Sequence, residues 1–138
     1  MKELLKNMAK TQKRHIGDIG EEIVCRYLRN RGYSIVERNY WKPWGEIDII
    51  ARNGSTVSFI EVKSVSRELS GRGLSRGTVR PEENMHPGKV KRLHRTIQTY
   101  LGDSYASEGI EWRLDLACVY LDFKTLQAKV EMLENISI

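Results

Sequence analysis

Apolar and polar residues alternate through the stretch from Gly45 to Lys63, which reads GEIDIIARNGSTVSFIEVK. Two runs rich in Ile, Val and Phe flank an Asn-Gly dipeptide at 53–54, and Asn-Gly is the strongest short-range signal for a β-hairpin. The pattern therefore predicts two paired antiparallel strands, over residues 46–51 and 56–63.

The charged residues of this predicted hairpin collect at one end of one face. Side chains alternate between the faces of a strand, so pairing Ala51 with Thr56 gives a face that is apolar near the turn and ionised far from it. Its members are Glu46, Asp48 and Ile50 on the first strand and Val57, Phe59, Glu61 and Lys63 on the second, with Asp48 opposite Phe59 and Glu46 opposite Glu61. Like charges across a ladder destabilise it unless something compensates, and a divalent cation would do so.

The rest of the chain predicts two helices and three further strands. Apolar residues recur every three to four positions in both helical segments, and glycines 32 and 102 mark their ends. The predicted helices cover 15–31 and 87–101, and the predicted strands cover 33–40, 112–122 and 126–133, with a loop at 103–110. This order predicts an α/β sandwich whose mixed sheet carries helices on its faces.

The segment 41–45, WKPWG, is predicted as the turn into the hairpin, because Pro43 disfavours a continuous strand. Its two tryptophans either pack at the core or its rim, since Trp buries most of its surface, or stack on bases or sugars. The sequence leaves both alternatives open.

Basic residues concentrate in two blocks that flank a more acidic centre. The net charge is +5, with five Lys or Arg and one Glu in residues 1–16, and eight Lys or Arg and three Glu in residues 64–95. Basic blocks indicate a polyanionic partner and an acidic centre indicates a metal. The alternative is an ordinary solvated surface.

We expect a basic N-terminal arm or helical turn at 1–14 and a single domain at 15–138. Within it, residues 64–88 form a long flexible basic loop, which is either functional or a disordered insertion. Arginines on such a loop suit phosphate binding. The candidate nucleic-acid-binding residues are Arg67, Arg72, Arg76, Arg80, Lys89, Lys91 and Arg92.

The hairpin residues define a candidate catalytic site. Asp48 and Glu61 offer hard carboxylate oxygens, which suit Mg²⁺ or Mn²⁺, and a water bound to such an ion can attack phosphorus. Lys63 could orient that water or stabilise phosphoryl charge, and Glu21 could reach the site from the first helix. The alternative is that Glu61 and Lys63 form a solvent-facing ion pair on an edge strand.

Composition and cysteine usage fit one cytoplasmic domain with a core of its own. At 138 residues, with 40% hydrophobic and 30% charged residues, the chain is ordinary for a soluble protein. No apolar run reaches the length of a membrane span and the N-terminus lacks a signal core. Cys25 and Cys118 match no metal spacing and are expected to be buried free thiols.

The pattern GEIDII followed by FIEVK resembles the signature of the PD-(D/E)xK nuclease superfamily. The chain is more closely similar to its YraN-like family, relatives in fold of archaeal Holliday junction resolvases. The resemblance covers roughly residues 15–120 and rests on several ordered matches. They are Gly17, Gly20, Glu21, Tyr27 and Leu28; Gly32, Tyr33, Arg38 and Asn39; Gly45 to Asp48; Glu61 to Lys63; Lys89, Leu93, Tyr100 and Leu101; and Arg113 to Asp115.

The resemblance implies a restriction-endonuclease-like core with a mixed sheet and flanking helices. It also implies a Mg²⁺-type site at Asp48, Glu61 and Lys63, with Glu21 added from the first helix. The chain departs from the family pattern at Val65 and Trp41, where the family often has arginines. If those arginines contact nucleic acid, substrate binding differs here.

Three functions follow as hypotheses. The first is a metal-dependent endonuclease acting on DNA, including branched or junction DNA, for which a two-fold dimer is natural. The second is a non-catalytic nucleic-acid-binding module that keeps a nuclease fold. The third is a protein-interaction adaptor that uses the 64–88 loop.

Overall fold

The structure is a computed structural model that describes residues 2–9, 16–66, 85–105 and 109–136. Its elements are α1 (Lys2–Ala9), α2 (Ile16–Asn30), β1 (Ser34–Lys42), β2 (Gly45–Asn53), β3 (Thr56–Ser66), α3 (Pro87–Tyr105), β4 (Glu111–Asp122) and β5 (Gln127–Leu133). The five strands form one sheet in the order β1-β2-β3-β4-β5. Only β3 and β4 pair in parallel, and α3 lies in the long crossover that a parallel pair requires. The predicted α/β fold with a mixed sheet is confirmed.

The helices α2 and α3 cover opposite faces of the sheet, because β3 is apolar on both of its faces. Ile60 packs with Ile23 of α2, whereas its neighbour Phe59 packs with Ile97 and Tyr100 of α3. Adjacent residues of a strand face opposite ways, so each face of β3 belongs to a separate core cluster. The two clusters fix both helices relative to the same stretch of sheet.

The N-terminal segment contributes to the core. Residues 2–9, within the segment predicted as an arm or helical turn, form α1, and the Leu5 side chain is fully buried in the cluster on the α2 side. The charged side chains of Lys2 and Lys6 stay exposed. The Leu5 side chain therefore docks this short basic helix against the core.

Several predicted boundaries were wrong by a few residues. The turn predicted at 41–45 is limited to 43–44, because Lys42 pairs with Gly45 in the β1–β2 ladder. Gly102 does not end α3, since the partly buried Tyr105 packs against Tyr100, with ring centroids 6.1 Å apart, and this contact favours one further turn of helix. The predicted 64–88 loop was wrong at both ends, because residues 64–66 continue β3 in its ladder with β4 and residues 87–88 begin α3, while residues 67–84 lie outside the described residues.

The register predicted for the β2–β3 hairpin was wrong by two residues. Thr56 pairs with Asn53, not with Ala51, and Phe59 pairs with Ile50, not with Asp48. The strands extend further than predicted because the turn contains only two residues. Gly54 occupies its first position with φ of 63°, a conformation that glycine adopts without strain.

Three further predictions concern the two cysteines, membrane-spanning helices and the arginines of the 64–88 segment. Cys25 and Cys118 are buried free thiols, as expected. No helix among the described residues is long and apolar enough to cross a membrane. Arg67, Arg72, Arg76 and Arg80 lie outside the described residues.

Candidate functional site

The candidate site lies where β2 and β3 stop pairing. The last pair of their ladder is Ile49 with Ile60. Ile47 and Ile50 of β2 both pack in the core cluster between the sheet and α3. In a regular strand, residues three apart point to opposite faces, so the alternation of side chains is broken between these two residues. The prediction that Glu46, Asp48 and Ile50 share one face was therefore wrong.

The Asp48 side chain takes the place of a backbone partner at this break. Its Oδ2 accepts a hydrogen bond of 2.8 Å from the backbone N–H of Val62 on β3. A backbone donor at the end of a ladder needs such a partner when it is partly buried. The bond holds the carboxylate between the two strands instead of letting it project from one face.

A pocket of about 360 Å³ opens beside this carboxylate. It is bounded by the start of β2, by β3 and by the first turns of α3. Its lining residues are Gly45, Glu46, Asp48, Glu61, Lys89, Arg92 and Leu93. Three carboxylates and two cationic side chains thus surround one opening.

The Asp48 carboxyl is electrostatically strained. Burial, followed by the neighbouring charge of Glu61, raises its pKa from the ordinary 3.8 to about 7, although the bond from Val62 opposes the shift. The same carboxyl also feels the charges of Glu21 and Glu46. A cation bound beside Asp48 would relieve this strain.

Glu61 has a cationic partner that the sequence analysis did not assign to it. Lys89 on α3 places its Nζ 2.8 Å from Glu61 Oε1, and the Glu61 side chain is only 14% exposed. The alternative of an edge-strand ion pair with Lys63 was wrong, because β3 is the middle strand of the sheet and Lys89 pairs with Glu61.

Glu21 of α2 does not line the pocket, but an amide bridge links its carboxylate to that of Glu46, which does. In the amide orientation that satisfies its neighbours, the Asn39 nitrogen donates to Glu21 Oε1 at 3.0 Å and to Glu46 Oε1 at 3.2 Å. Burial raises the pKa of Glu21, and the charge of Arg38 opposes the shift. Asn39 therefore holds two carboxylates side by side.

A close helix–strand contact brings the basic start of α3 to the pocket. A Cβ on Gly45 would collide with the hydroxyl of Thr96 and lie 3.1 Å from the carbonyl oxygen of Arg92. Glycine at this position lets α3 approach β2, which places Lys89 and Arg92 at the opening. Lys91, the third predicted basic residue of this helix, is exposed and does not line the pocket.

Lys63 and the two tryptophans lie around the site without lining the pocket. Lys63 is exposed, two residues beyond Glu61 on β3. Trp41 is 64% exposed, so the packing alternative was wrong for it. Trp44 is partly buried under Arg95, whose guanidinium carbon lies 4.3 Å from the ring centroid.

The donor chemistry of the pocket fits a hard divalent cation. Within the described ranges, no group of three or more His, Cys, Asp or Glu side chains is arranged to hold a metal ion. Mg²⁺, however, commonly uses one or two protein carboxylates and completes its shell with water and substrate phosphate. Asp48 and Glu61 supply two carboxylates, and burial together with the charge of Glu61 raises the pKa of Asp48, an effect that a bound cation would oppose.

Two features of the site are not apparent from the amino-acid sequence. Asn39 bridges Glu21 and Glu46 from a left-handed backbone conformation with φ of 53°. Asn tolerates this conformation better than most residues, but no periodicity marks it. The pairing of Lys89 with Glu61 joins residues on separate elements, and only the position of α3 reveals it.

Comparison with known proteins gives consistent matches along the chain. The model of "Uncharacterised protein family UPF0102" matches residues 20–119. A UPF0102 protein of Moorella thermoacetica is 38% identical over 128 residues, which are 93% of this chain and 98% of that protein. One from Campylobacter lari is 36% identical over 118 residues, covering 86% of this chain and 89% of its own.

A third UPF0102 protein, from Syntrophus aciditrophicus, is 37% identical over 125 residues, which are 91% of this chain and 90% of that protein. The matched region runs from α2 to β4 and includes Glu21, Asp48, Glu61 and Lys89. Family model, full-length relatives and fold agree with the resemblance found in the sequence. The chain belongs to the UPF0102 family, the YraN-like family of the PD-(D/E)xK nuclease superfamily.

Proposed function

We propose that this protein is a divalent-cation-dependent nuclease that hydrolyses phosphodiester bonds in DNA, and that branched or junction DNA is among its substrates. The observation that carries the proposal is the Asp48 carboxylate, held between β2 and β3 by the Val62 N–H and left with a pKa near 7 beside Glu61. Burying uncompensated carboxylates costs stability. Strongly perturbed groups in a pocket are typical of functional sites.

The side chains around the pocket take distinct roles in this proposal. Asp48 and Glu61 would hold Mg²⁺ or Mn²⁺, which when bound supplies Lewis-acid stabilisation of charge on a phosphoryl group. Lys89 and Arg92, at the opening, bind the nucleic-acid phosphate that carries the scissile bond or its neighbour. Glu21, linked to Glu46 through Asn39, adds negative charge on the α2 side, where it attracts the cation.

The predicted role of Lys63 is kept as part of the proposal. It follows Glu61 by two residues, so its side chain emerges on the same face of β3. From there its ammonium can reach the phosphate or an attacking water once substrate fills the space in front of the sheet. Trp41, exposed opposite Glu46 in the β1–β2 ladder, is available to stack on a base.

The test is cleavage of linear, flapped and four-way-junction DNA in the presence of Mg²⁺ or Mn²⁺. Asp48→Asn and Glu61→Gln should each lower the rate at least about 100-fold, the scale for loss of one electrostatic group in a preorganised site. Lys63→Ala should also lower it. Asp103→Asn, which removes an exposed carboxylate on α3, is the matched control and should cleave at the wild-type rate.

If the Asp48→Asn variant and the Glu61→Gln variant both cleave DNA at the wild-type rate, the activity comes from a contaminating nuclease and the proposed function is contradicted. Circular dichroism spectra of all variants check that lost activity does not reflect lost structure. The relative rates on the three DNA forms identify the preferred substrate.

One observation favours a second function, a nucleic-acid-binding module without catalysis. Lys89 already neutralises Glu61, and Lys63 does not line the pocket. A binding module would bind DNA with an affinity that falls steeply with salt and is independent of divalent cations. Binding of this kind, with no cleavage of any of the three DNA forms, would select this function over the first.

A further inference from the structure

We propose that Lys89 couples DNA binding to divalent-cation binding. Its ammonium holds the Glu61 carboxylate in the free protein and leaves it when a phosphodiester enters the pocket. The inference rests on the proposed function and adds a form of regulation to the same site. It predicts that each ligand raises the affinity for the other.

The contact between Lys89 and Glu61 makes the ammonium a competitor of the cation. Nζ lies 2.8 Å from Oε1, and the two side chains are 32% and 14% exposed. Because solvent screens these partly buried charges less, the attraction between them is stronger than in an ion pair that is fully exposed to water. A divalent cation that binds Glu61 must displace the ammonium or bind against its repulsion, so Lys89 weakens cation binding in the free protein.

A phosphate in the pocket offers the ammonium a second anion. Arg92 follows Lys89 by three residues on α3, and both line the same opening. Residues three apart lie on one face of a helix, so one phosphodiester can contact both side chains. Once it binds there, Glu61 is released to the cation.

The side chain can make this exchange without movement of the helix. The backbone N–H of Lys89 donates to Nδ1 of His86 at 3.3 Å, and the N–H of Val90 donates to the His86 carbonyl oxygen at 3.0 Å. These bonds fix the first turn of α3. The four-carbon stem of lysine is flexible, so the ammonium moves while its backbone stays in place.

The first measurement is Mn²⁺ affinity without DNA, followed by the electron paramagnetic resonance signal of free Mn²⁺. Lys89→Met should bind Mn²⁺ about tenfold more tightly than wild type, within the range of ordinary site–site coupling. Lys89→Arg keeps the cation and should stay near wild type. Lys91→Met removes an equal charge from an exposed position of the same helix and should change the affinity much less.

The second measurement is the reciprocal one, because coupling free energies are symmetric. The probe is a fluorescent 20-base-pair duplex with phosphorothioate linkages, and its affinity is measured with and without Mn²⁺ at constant ionic strength. Mn²⁺ should raise the affinity of wild type for this duplex severalfold more than that of Lys89→Met. An equal effect on both proteins would overturn the coupling.

Asp48→Asn separates failure of this inference from failure of the proposed function. If wild type and Asp48→Asn bind Mn²⁺ equally, the proposed cation site is wrong and the coupling falls with it. If Mn²⁺ binding requires Asp48 but Lys89→Met binds no more tightly than wild type, only the coupling is overturned. Equal tightening by Lys91→Met would also overturn it, since net charge alone would then explain the effect. Circular dichroism confirms folding, and Lys89→Gln replaces Lys89→Met if the latter does not fold.

Discussion

At the scale of single residues, the site is built from groups that destabilise one another in the free protein. Asp48 is partly buried next to Glu61, and one backbone N–H, that of Val62, donates a hydrogen bond to its carboxylate. Glu21 and Glu46 share the amide of Asn39. Such an arrangement lowers the free energy of unfolding of the free protein, which is common at functional sites.

Asp48→Asn should therefore stabilise the protein in the absence of divalent cations, and the gain should depend on pH. Because the folded-state pKa of Asp48 lies near 7 and the ordinary value is 3.8, the folded state keeps a proton that the unfolded state loses between these values. The free energy of unfolding of wild type therefore falls as pH rises from about 4 to 7. Asn, which carries no charge and can still accept from the Val62 N–H, removes this part of the slope.

Urea denaturation at pH 8 should show Asp48→Asn more stable than wild type by about 1 kcal/mol, the scale seen when a strained site is relieved. At pH 4 the difference should vanish, since both proteins then present a neutral side chain. Asp103→Asn is the control and should show no such trend. A variant less stable than wild type at pH 8 would show that the Asp48 charge is compensated in the free protein.

At the scale of elements, α2 is held against the sheet by a contact without room for a side chain. A Cβ on Gly20 would collide with the Ser64 hydroxyl and lie 3.0 Å from the Ser64 Cβ. Gly17, in the first turn of the same helix, has nothing within 4 Å of that position. Since Glu21 follows Gly20 directly, the contact also sets how close this carboxylate comes to the sheet.

Gly20→Ala and Gly17→Ala should have opposite effects on stability. The first should lower the free energy of unfolding by about 1–3 kcal/mol, the usual cost of overpacking. The second should raise it by about 0.4–1 kcal/mol, because alanine restricts the unfolded chain. Thermal unfolding of both variants tests this, and Ser64→Ala should restore part of the loss in a double variant with Gly20→Ala. Equal effects of the two glycine substitutions would contradict the close contact.

The sequence predicted the elements well and their relative placement less well. Periodicity located α2 and β4 almost to the residue, because each buries one continuous apolar pattern. It missed the two-residue turn at 54–55 and the break at Asp48, since both depend on how β2 and β3 separate. The predicted pair of Asp48 and Glu61 still lines one pocket. The pairing of Glu61 with Lys89 required knowledge of where α3 docks.

At the scale of the whole molecule, cationic side chains lie at both ends of the β2–β3 hairpin, but only one end carries the pocket. The pocket lies at the end of the β2–β3 hairpin remote from its turn, about 20 Å from Gly54 at 3.3 Å per residue of strand. Lys89 and Arg92 lie at the pocket. Arg52 lies beside the turn, where its Nε donates to the Gly54 carbonyl oxygen at 2.9 Å.

DNA binding should therefore depend on arginines at one end of the sheet and not at the other. Each phosphate contact adds about 0.9 to the slope of log affinity against log salt for duplex DNA. Arg92→Gln should reduce the magnitude of that slope by about 0.9, because one contact between a cationic side chain and a phosphate is lost at the pocket. Arg52→Gln removes the same charge far from the pocket and should leave the slope unchanged. Fluorescence anisotropy titrations of an uncleaved duplex from low to moderate salt measure this slope for both variants.

If Arg52→Gln reduces the slope as much as Arg92→Gln does, the DNA does not bind preferentially at the pocket end of the sheet. The phosphate-binding role proposed for α3 is then wrong.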